Sequence, residues 1–396
     1  MKKTVVTTLT LILFISSSAL SQSNEAQEAY LKATTAPSLN QKIQLLEDYI
    51  QKYKGKGTQY ENYAYAHLCI YSLQANQLNK AIEYGENALS LGGLDDDFKC
   101  HVYLTLSIIY TKLGKNLEKA KNYSMQVVEI ARVKKDNASS TTSPEQWKKL
   151  LGAGYYTHAQ AQEKAKQLKG AVSSYIKSYD YLKNRQIGND LKKAGKSLYE
   201  FKFYNDAERA FGKAYNILKD FDSCSFYAKS LYKNGKKEEA LTYFKKSYGM
   251  QKRGEIAFNI GIILAGKAKK KPSFYEEAIR YLLDASFLSP ANSDKAMKLA
   301  EGIFYNSKEA AGYNEKVKQI QELGKKLEEM TEIFNENFGD KNEEDLSESE
   351  KKEIASWLAD IEALQAKIKK TEKEQNLIVA KFNNHLEEAK KRLGIK

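Results

Sequence analysis

The side chains best suited to chemistry are few. There are 4 histidines and 3 cysteines in 396 residues, and they come close in sequence at two places, His67 with Cys69 and Cys100 with His101. Imidazole nitrogen and thiolate sulfur are the usual ligands of Zn2+. On a helix, however, residues two apart point about 200° from each other, so His67 and Cys69 do not share one ion. No metal site is expected. Cys69, Cys100 and Cys224 read as small buried residues of helix cores, since an odd count cannot complete a disulfide framework, and the histidines read as exposed. The carboxylate pairs Glu238-Glu239 and Glu276-Glu277 suit the exposed start of a helix, where acidic groups complement the dipole. HExxH, a phosphate-binding glycine loop and a Gly-x-Ser-x-Gly elbow are all absent from the sequence. The expectation is therefore no catalytic residue, no metal and no cofactor, with function residing in surface.

The elements that present this surface follow from composition and self-similarity. Only 4 prolines occur, 42% of residues are hydrophobic, and tyrosine (27) far outnumbers tryptophan (2), which suits a chain of amphipathic helices. Short segments ending in alanine then recur: Leu78-Asn79-Lys80-Ala81, Leu117-Glu118-Lys119-Ala120, Leu168-Lys169-Gly170-Ala171, Tyr204-Asn205-Asp206-Ala207, Lys237-Glu238-Glu239-Ala240 and Tyr275-Glu276-Glu277-Ala278. Their alanines lie 39, 51, 36, 33 and 38 residues apart, a period near 34 with insertions.

Each anchor is preceded by a helical pattern carrying a large-small pair: Leu68-Cys69, Leu106-Ser107 with Tyr110, Ala194-Gly195 with Leu198, Tyr227-Ala228 with Leu231, and Ile260-Gly261 with Leu264. After the anchors come Phe211 and Ala214, Phe244 and Ser247, and Leu282, Ala285 and Pro290. This arrangement resembles the tetratricopeptide repeat (TPR), which pairs a first helix bearing a Leu-small pair and an aromatic with a second bearing Ala, an aromatic and Ala. The resemblance implies an all-α TPR superhelical solenoid, right-handed, in which small residues let paired helices approach and large ones fill the gaps. Departures are visible. Tyr65, Tyr103 and Tyr155 stand where the family favours Trp, Gly85 replaces an aromatic, and the third repeat carries His158-Ala159 at its pair.

Residues 1–21 read as a signal peptide of bacterial export type. Lys2 and Lys3 form the basic region, Val5 to Ile15 the apolar stretch, and Ser16 to Ser21 the cleavage site, leaving Gln22 as the mature terminus. About 11 apolar positions fall short of the ~20 a spanning helix needs. The mature chain is expected to be periplasmic or secreted. Residues 22–61 read as a helical cap, with Asn24 to Tyr53 one helical unit. Residues 62–311 hold six repeats and a partial seventh whose first helix runs from Ser293 to Tyr305, with Leu299-Ala300 and Ile303 as packing residues. Ser143, Pro144 and Gln146 mark a helix start after the linker 134–143.

Residues 312–396 change to heptads. Ile320, Leu323, Leu327, Met330 and Phe334 alternate by three and four, and Ile354, Ile361, Ile368, Gln375, Phe382 and Ala389 recur every seven. Leu358, Val379, Leu386 and Leu393 supply the second stripe. With the acidic hinge Asp340–Glu350 between them, these helices form either an antiparallel hairpin or a coiled-coil dimer that joins two chains. The second helix is the longer, and its surplus would dock on the solenoid or on another chain.

The resemblance also implies a ligand groove lined by the first helices. Position by position it places Tyr156, Asn189, Lys192, Lys196, Tyr199, Lys229, Tyr232, Lys233 and Phe258 there. Lys192/Lys196 and Lys229/Lys233 each lie one turn apart, with tyrosines interleaved, which suits peptide carboxylates. Charge agrees in sign: the chain carries +13, while 315–396, with 16 basic and 19 acidic residues, carries −3. The expected function is a non-enzymatic scaffold in the cell envelope that binds an acidic or extended peptide. The alternatives are a chaperone-like or auxiliary assembly factor and a factor peripheral to the envelope membrane. Nucleic acid is not an expected partner, because lysine dominates over arginine and the chain is exported.

Overall fold

The computed structural model describes residues 24–137, 142–342, 344 and 346–395. The segment read as a signal peptide, and the cleavage site with it, lies outside the described residues. The chain divides into two compact units, 1–230 and 231–396.

The first unit opens with α1 (24–35) and α2 (Leu39–Tyr53). The sequence led us to expect a helical entry unit here, and it consists of two helices. Pro37 ends α1, because a residue preceding proline is pushed out of the helical region, and Ser38 restarts the chain by accepting a hydrogen bond from the Gln41 amide. Ala26, Tyr30 and Ala33 of α1 meet Ile43, Leu46, Tyr49 and Tyr53 of α2 in a core shared with Ala64 and Leu68, so the two helices cover the first repeat.

Four helical hairpins follow: α3 (Glu61–Gln74) with α4 (Leu78–Leu91), α5 (Asp96–Leu113) with α6 (Leu117–Lys134), α7 (Pro144–Lys164) with α8 (Leu168–Leu182), and α9 (Gln186–Glu200) with α10 (Tyr204–Leu218). Ser143 and Gln146 cap α7 reciprocally, with Pro144 at its first position, as the sequence indicated. The anchoring alanines Ala81, Ala120, Ala171 and Ala207 are all fully buried. They are small where two helices touch, and Phe211, Leu106 and Leu191 fill the space between successive hairpins. The fold is all-α and of TPR type.

Gly85 explains one departure from the family pattern. A methyl group there would sit 2.8 Å from Cys69 Sγ and 2.8 Å from Leu106 Cδ2, so the room an aromatic would need is already filled by neighbouring helices. At the turns, Asn76, Lys166 and Lys202 take the left-handed conformation that Gly235 provides in the second unit, with φ of 57°, 62°, 63° and 81°. Helix α11 (Phe221–Lys233) carries the boundary between the units.

In the second unit, α12 (Lys237–Met250) and α14 (Tyr275–Leu288) both pack on α13 (Gly254–Ala268), and α15 (Ser293–Tyr305) packs on α14. Helix α15 has the predicted bounds, but Phe304 and Ala300 fill its core contact while Leu299 stays exposed. The heptad region forms the hairpin of α16 (Tyr313–Phe338) and α17 (Glu348–Leu393), and Lys316 pairs with Glu374 across it. Ser347 and Glu350 cap α17 from inside the acidic hinge. The predicted stripe needs one correction. Leu358 is exposed, and half-buried Trp357 and Leu364 take the seam instead, because they follow Ile354 and Ile361 by three residues. The C-terminal half of α17 docks on α14 and α15: Phe382 lies against Phe304, with ring centroids 5.2 Å apart, and Ala389 is fully buried.

Candidate functional site

The residues with metal-ligand chemistry are scattered. Among the described residues no group of three His, Cys, Asp or Glu side chains could hold an ion. All three cysteines are buried and none is in a disulfide, and burial pushes the Cys69 and Cys100 thiols up to about 12. The histidines were expected on the surface; His67 instead packs among Tyr30, Tyr71 and Phe98. Burial, with a contribution from Lys42, lowers its pKa to about 4. His158 is half-buried and held by Ser124 Oγ at 3.0 Å and the Lys121 carbonyl at 3.2 Å.

In the first unit the predicted groove residues sit on α7, α9 and α11. Each lysine already has a carboxylate or a ring beside it. Lys192 donates to Asp220 at 2.7 Å, Lys196 lies 4.0 Å from Asp222, and Lys196 and Lys229 flank the Phe226 ring at 5.2 and 4.9 Å. Burial alone would raise the Asp220 carboxyl, but hydrogen bonds from Lys192 and Ser223 outweigh it and hold the group below the usual range. Tyr156 donates to Asp190 at 2.9 Å; burial first, then this carboxylate, raises its phenol well above the ordinary value. Tyr199 packs edge-on against Phe226, and Asn189 is exposed. In the second unit Tyr232 is half-buried and Lys233 exposed. Phe258 is a correction: it lies buried in α13 with the Lys295 ammonium over its ring, so it offers no face to a ligand.

The sequence reading passed over a trough beside this face. Helix α7 packs on α5 and α8, while α9 packs on α8 and α10, so α8 floors the space between α7 and α9. Two open cavities occupy it. One of about 610 Å3 is lined by Ile108, Thr111 and Lys112 of α5, Gln160, Glu163 and Lys164 of α7, Lys166, Tyr175, and Asp190 and Lys193 of α9. The other, about 830 Å3, shares Glu163, Lys166 and Lys193 and continues past Leu168, Gly170 and Leu198 to Phe201 and Phe203. Glu163 is occupied, accepting from Tyr175 at 2.8 Å and from Lys193 at 2.8 Å. That contact raises the Lys193 ammonium. The one available sequence signal was Phe201-Lys202-Phe203, two phenylalanines in a turn with no helical period to bury them.

No protein-family model and no curated protein sequence matches the chain. Among solved structures, a tetratricopeptide repeat protein from Parabacteroides merdae is similar over 71% of this chain and 98% of its own, at 15% identity and a TM-score of 0.35. A thermophilic TPR protein from Thermus thermophilus covers 53% of this chain and 99% of its own at 15% identity, with a TM-score of 0.27. The TPR2AB domain of yeast Sti1, solved as a pHSP90 complex, covers 63% and 98% at 14% identity, with a TM-score of 0.25.

Proposed function

We propose that the chain is a non-enzymatic scaffold that works outside the cytoplasm and holds an extended, acidic segment of a protein partner on its first unit. The observation that carries this reading is the repeated tyrosine–lysine surface of successive first helices, with Tyr156 on α7, Lys192, Lys196 and Tyr199 on α9 and Lys229 on α11. An ammonium has three donors. Asp220 takes one from Lys192, so a peptide carboxylate can join the pair without displacing it. Because Asp220 and Asp222 share these charges, each new contact is modest, and binding should fall as salt rises.

The test is titration of labelled glutamate-rich and glutamine-substituted peptides into residues 22–396. Preference for the glutamate peptide, lost in Lys192→Gln/Lys229→Gln, supports the reading. Equal binding of both peptides removes it. Export is checked separately by N-terminal sequencing of the mature chain, expected to begin at Gln22; an intact Met1 would remove that part of the proposal.

A further inference from the structure

We propose that the trough between α5, α7 and α9 is a docking channel for an acidic peptide segment bearing one aromatic or large aliphatic anchor residue. This rests on the peptide-scaffold reading and specifies which peptide is held.

Charge argues for the acidic half. Lys112 contacts Asn76 Oδ1 at 2.8 Å, and no described carboxylate pairs with Lys112, Lys164 or Lys166. The two carboxylates of the channel are taken, Glu163 by Lys193 and Tyr175, Asp190 by Tyr156 and Gln186. The channel therefore has three ammonium groups without counter-charge at its α5–α7 end, in contrast to the neutralised Lys192 and Lys196. Carboxylates complete such a set with charge-assisted hydrogen bonds.

The other end is apolar. Phe201 is 66% exposed and Phe203 46% exposed, and both line the larger cavity with Leu168 and Leu198. The Lys169 ammonium covers the Phe203 ring at 4.1 Å, holding it at the cavity wall. Two large exposed rings beside a cavity of 830 Å3 give an incoming side chain a surface to leave water on. Packed helices lie about 8–10 Å apart; α7 rests on α5, and α9 is reached from α7 across α8, so the path from α5 to α9 is roughly 20–30 Å, the span of about six to nine extended residues. The segment fitted is thus short: carboxylates at one end, the anchor about six to nine residues from the first of them.

The test uses fluorescence anisotropy with three labelled peptides. The first has four glutamates, a two-residue Gly-Ser spacer and a phenylalanine; in the second alanine replaces the phenylalanine, and in the third glutamines replace the glutamates. Each is titrated into wild type, Lys112→Gln/Lys164→Gln/Lys166→Gln, Phe201→Ala and Lys192→Gln/Lys229→Gln. The substituted side chains lie on the surface, and thermal melts confirm folding. The triple lysine variant should lose about tenfold for the glutamate peptides, from three exposed charge contacts of ordinary strength. Phe201→Ala should lose about fivefold or more for the phenylalanine peptide and nothing for the alanine peptide. Unchanged affinity in both channel variants, with loss in Lys192→Gln/Lys229→Gln, overturns the channel and keeps the scaffold reading. Failure of wild type to bind any of the three overturns both.

Discussion

Arg392→Ala should release the end of α17 from α14, and the size of the effect follows from an asymmetry in burial. Asp284 on α14 is 0% exposed and accepts from Tyr248 at 2.8 Å and from Arg392 Nε at 3.2 Å and Nη2 at 2.5 Å. The Arg392 side chain retains 25% of its surface. Removing one partner of a buried pair costs about 3–5 kcal/mol, because the survivor keeps its desolvation penalty. Here Tyr248 still donates to Asp284, and water enters where the guanidinium stood, so about 2–3 kcal/mol is expected. The mirror change, Asp284→Ala, leaves a guanidinium that can turn to solvent and one buried phenol without an acceptor. It should cost less, about 1–2 kcal/mol.

The readout is native-state hydrogen exchange of amides in 378–393. If this end opens locally, 2–3 kcal/mol lowers protection there by about 30- to 150-fold. Amides of 350–365, held against α16, should keep theirs. Loss of less than threefold in Arg392→Ala would refute the reasoning and assign the docking to Phe382 and Ala389 alone. Replacing both partners, Asp284→Leu with Arg392→Leu, should recover part of the loss, since an apolar pair has no charge to desolvate.

Three further outcomes are expected. The fold disfavours protonated His67, with a pKa of about 4 against the ordinary 6.5, so the unfolded chain takes the proton first as pH falls. Stability is then full above about pH 7 and declines between about 6.5 and 4, by at most roughly 3 kcal/mol; His67→Phe should flatten that part of a Tm-against-pH profile. Gly85→Ala drives a methyl group into Cys69 and Leu106, and chemical denaturation should show a loss of about 1–3 kcal/mol. Lys202→Gly removes a side chain from a residue at φ 63°, and the same measurement should show a gain of roughly 0.5–1 kcal/mol.

What was legible in the sequence is what local periodicity and helix packing determine. Buried Ala81, Ala120, Ala171 and Ala207 let the second helices approach the first, so the repeat could be read from those alanines together with the large-small pairs before them. The stripe Ile320–Phe334 was legible for the same reason. Leu358 was misplaced because one residue's shift on a helix moves a side chain by about 100°, and the sevenfold count through Ile354 left Trp357 and Leu358 both eligible. The residues assigned to the groove could be placed on first helices from the repeat, but their electrostatics could not be read. Asp220 and Asp222 follow Lys192 by 28 and 30 residues, and only the turn after α10 brings them beside α9. Phe258 shows the same limit, since its face is closed by Lys295 from a later helix. Conversely, Lys112, Lys164 and Lys166 look like ordinary solvated lysines in sequence. They matter because α8 sets back the floor between α7 and α9 and the nearby Glu163 is spent on Lys193 and Tyr175. A charge's availability for a ligand is thus decided by which neighbours the fold has already given it: Lys192 and Lys196 share theirs with Asp220 and Asp222, while Lys112, Lys164 and Lys166 keep theirs.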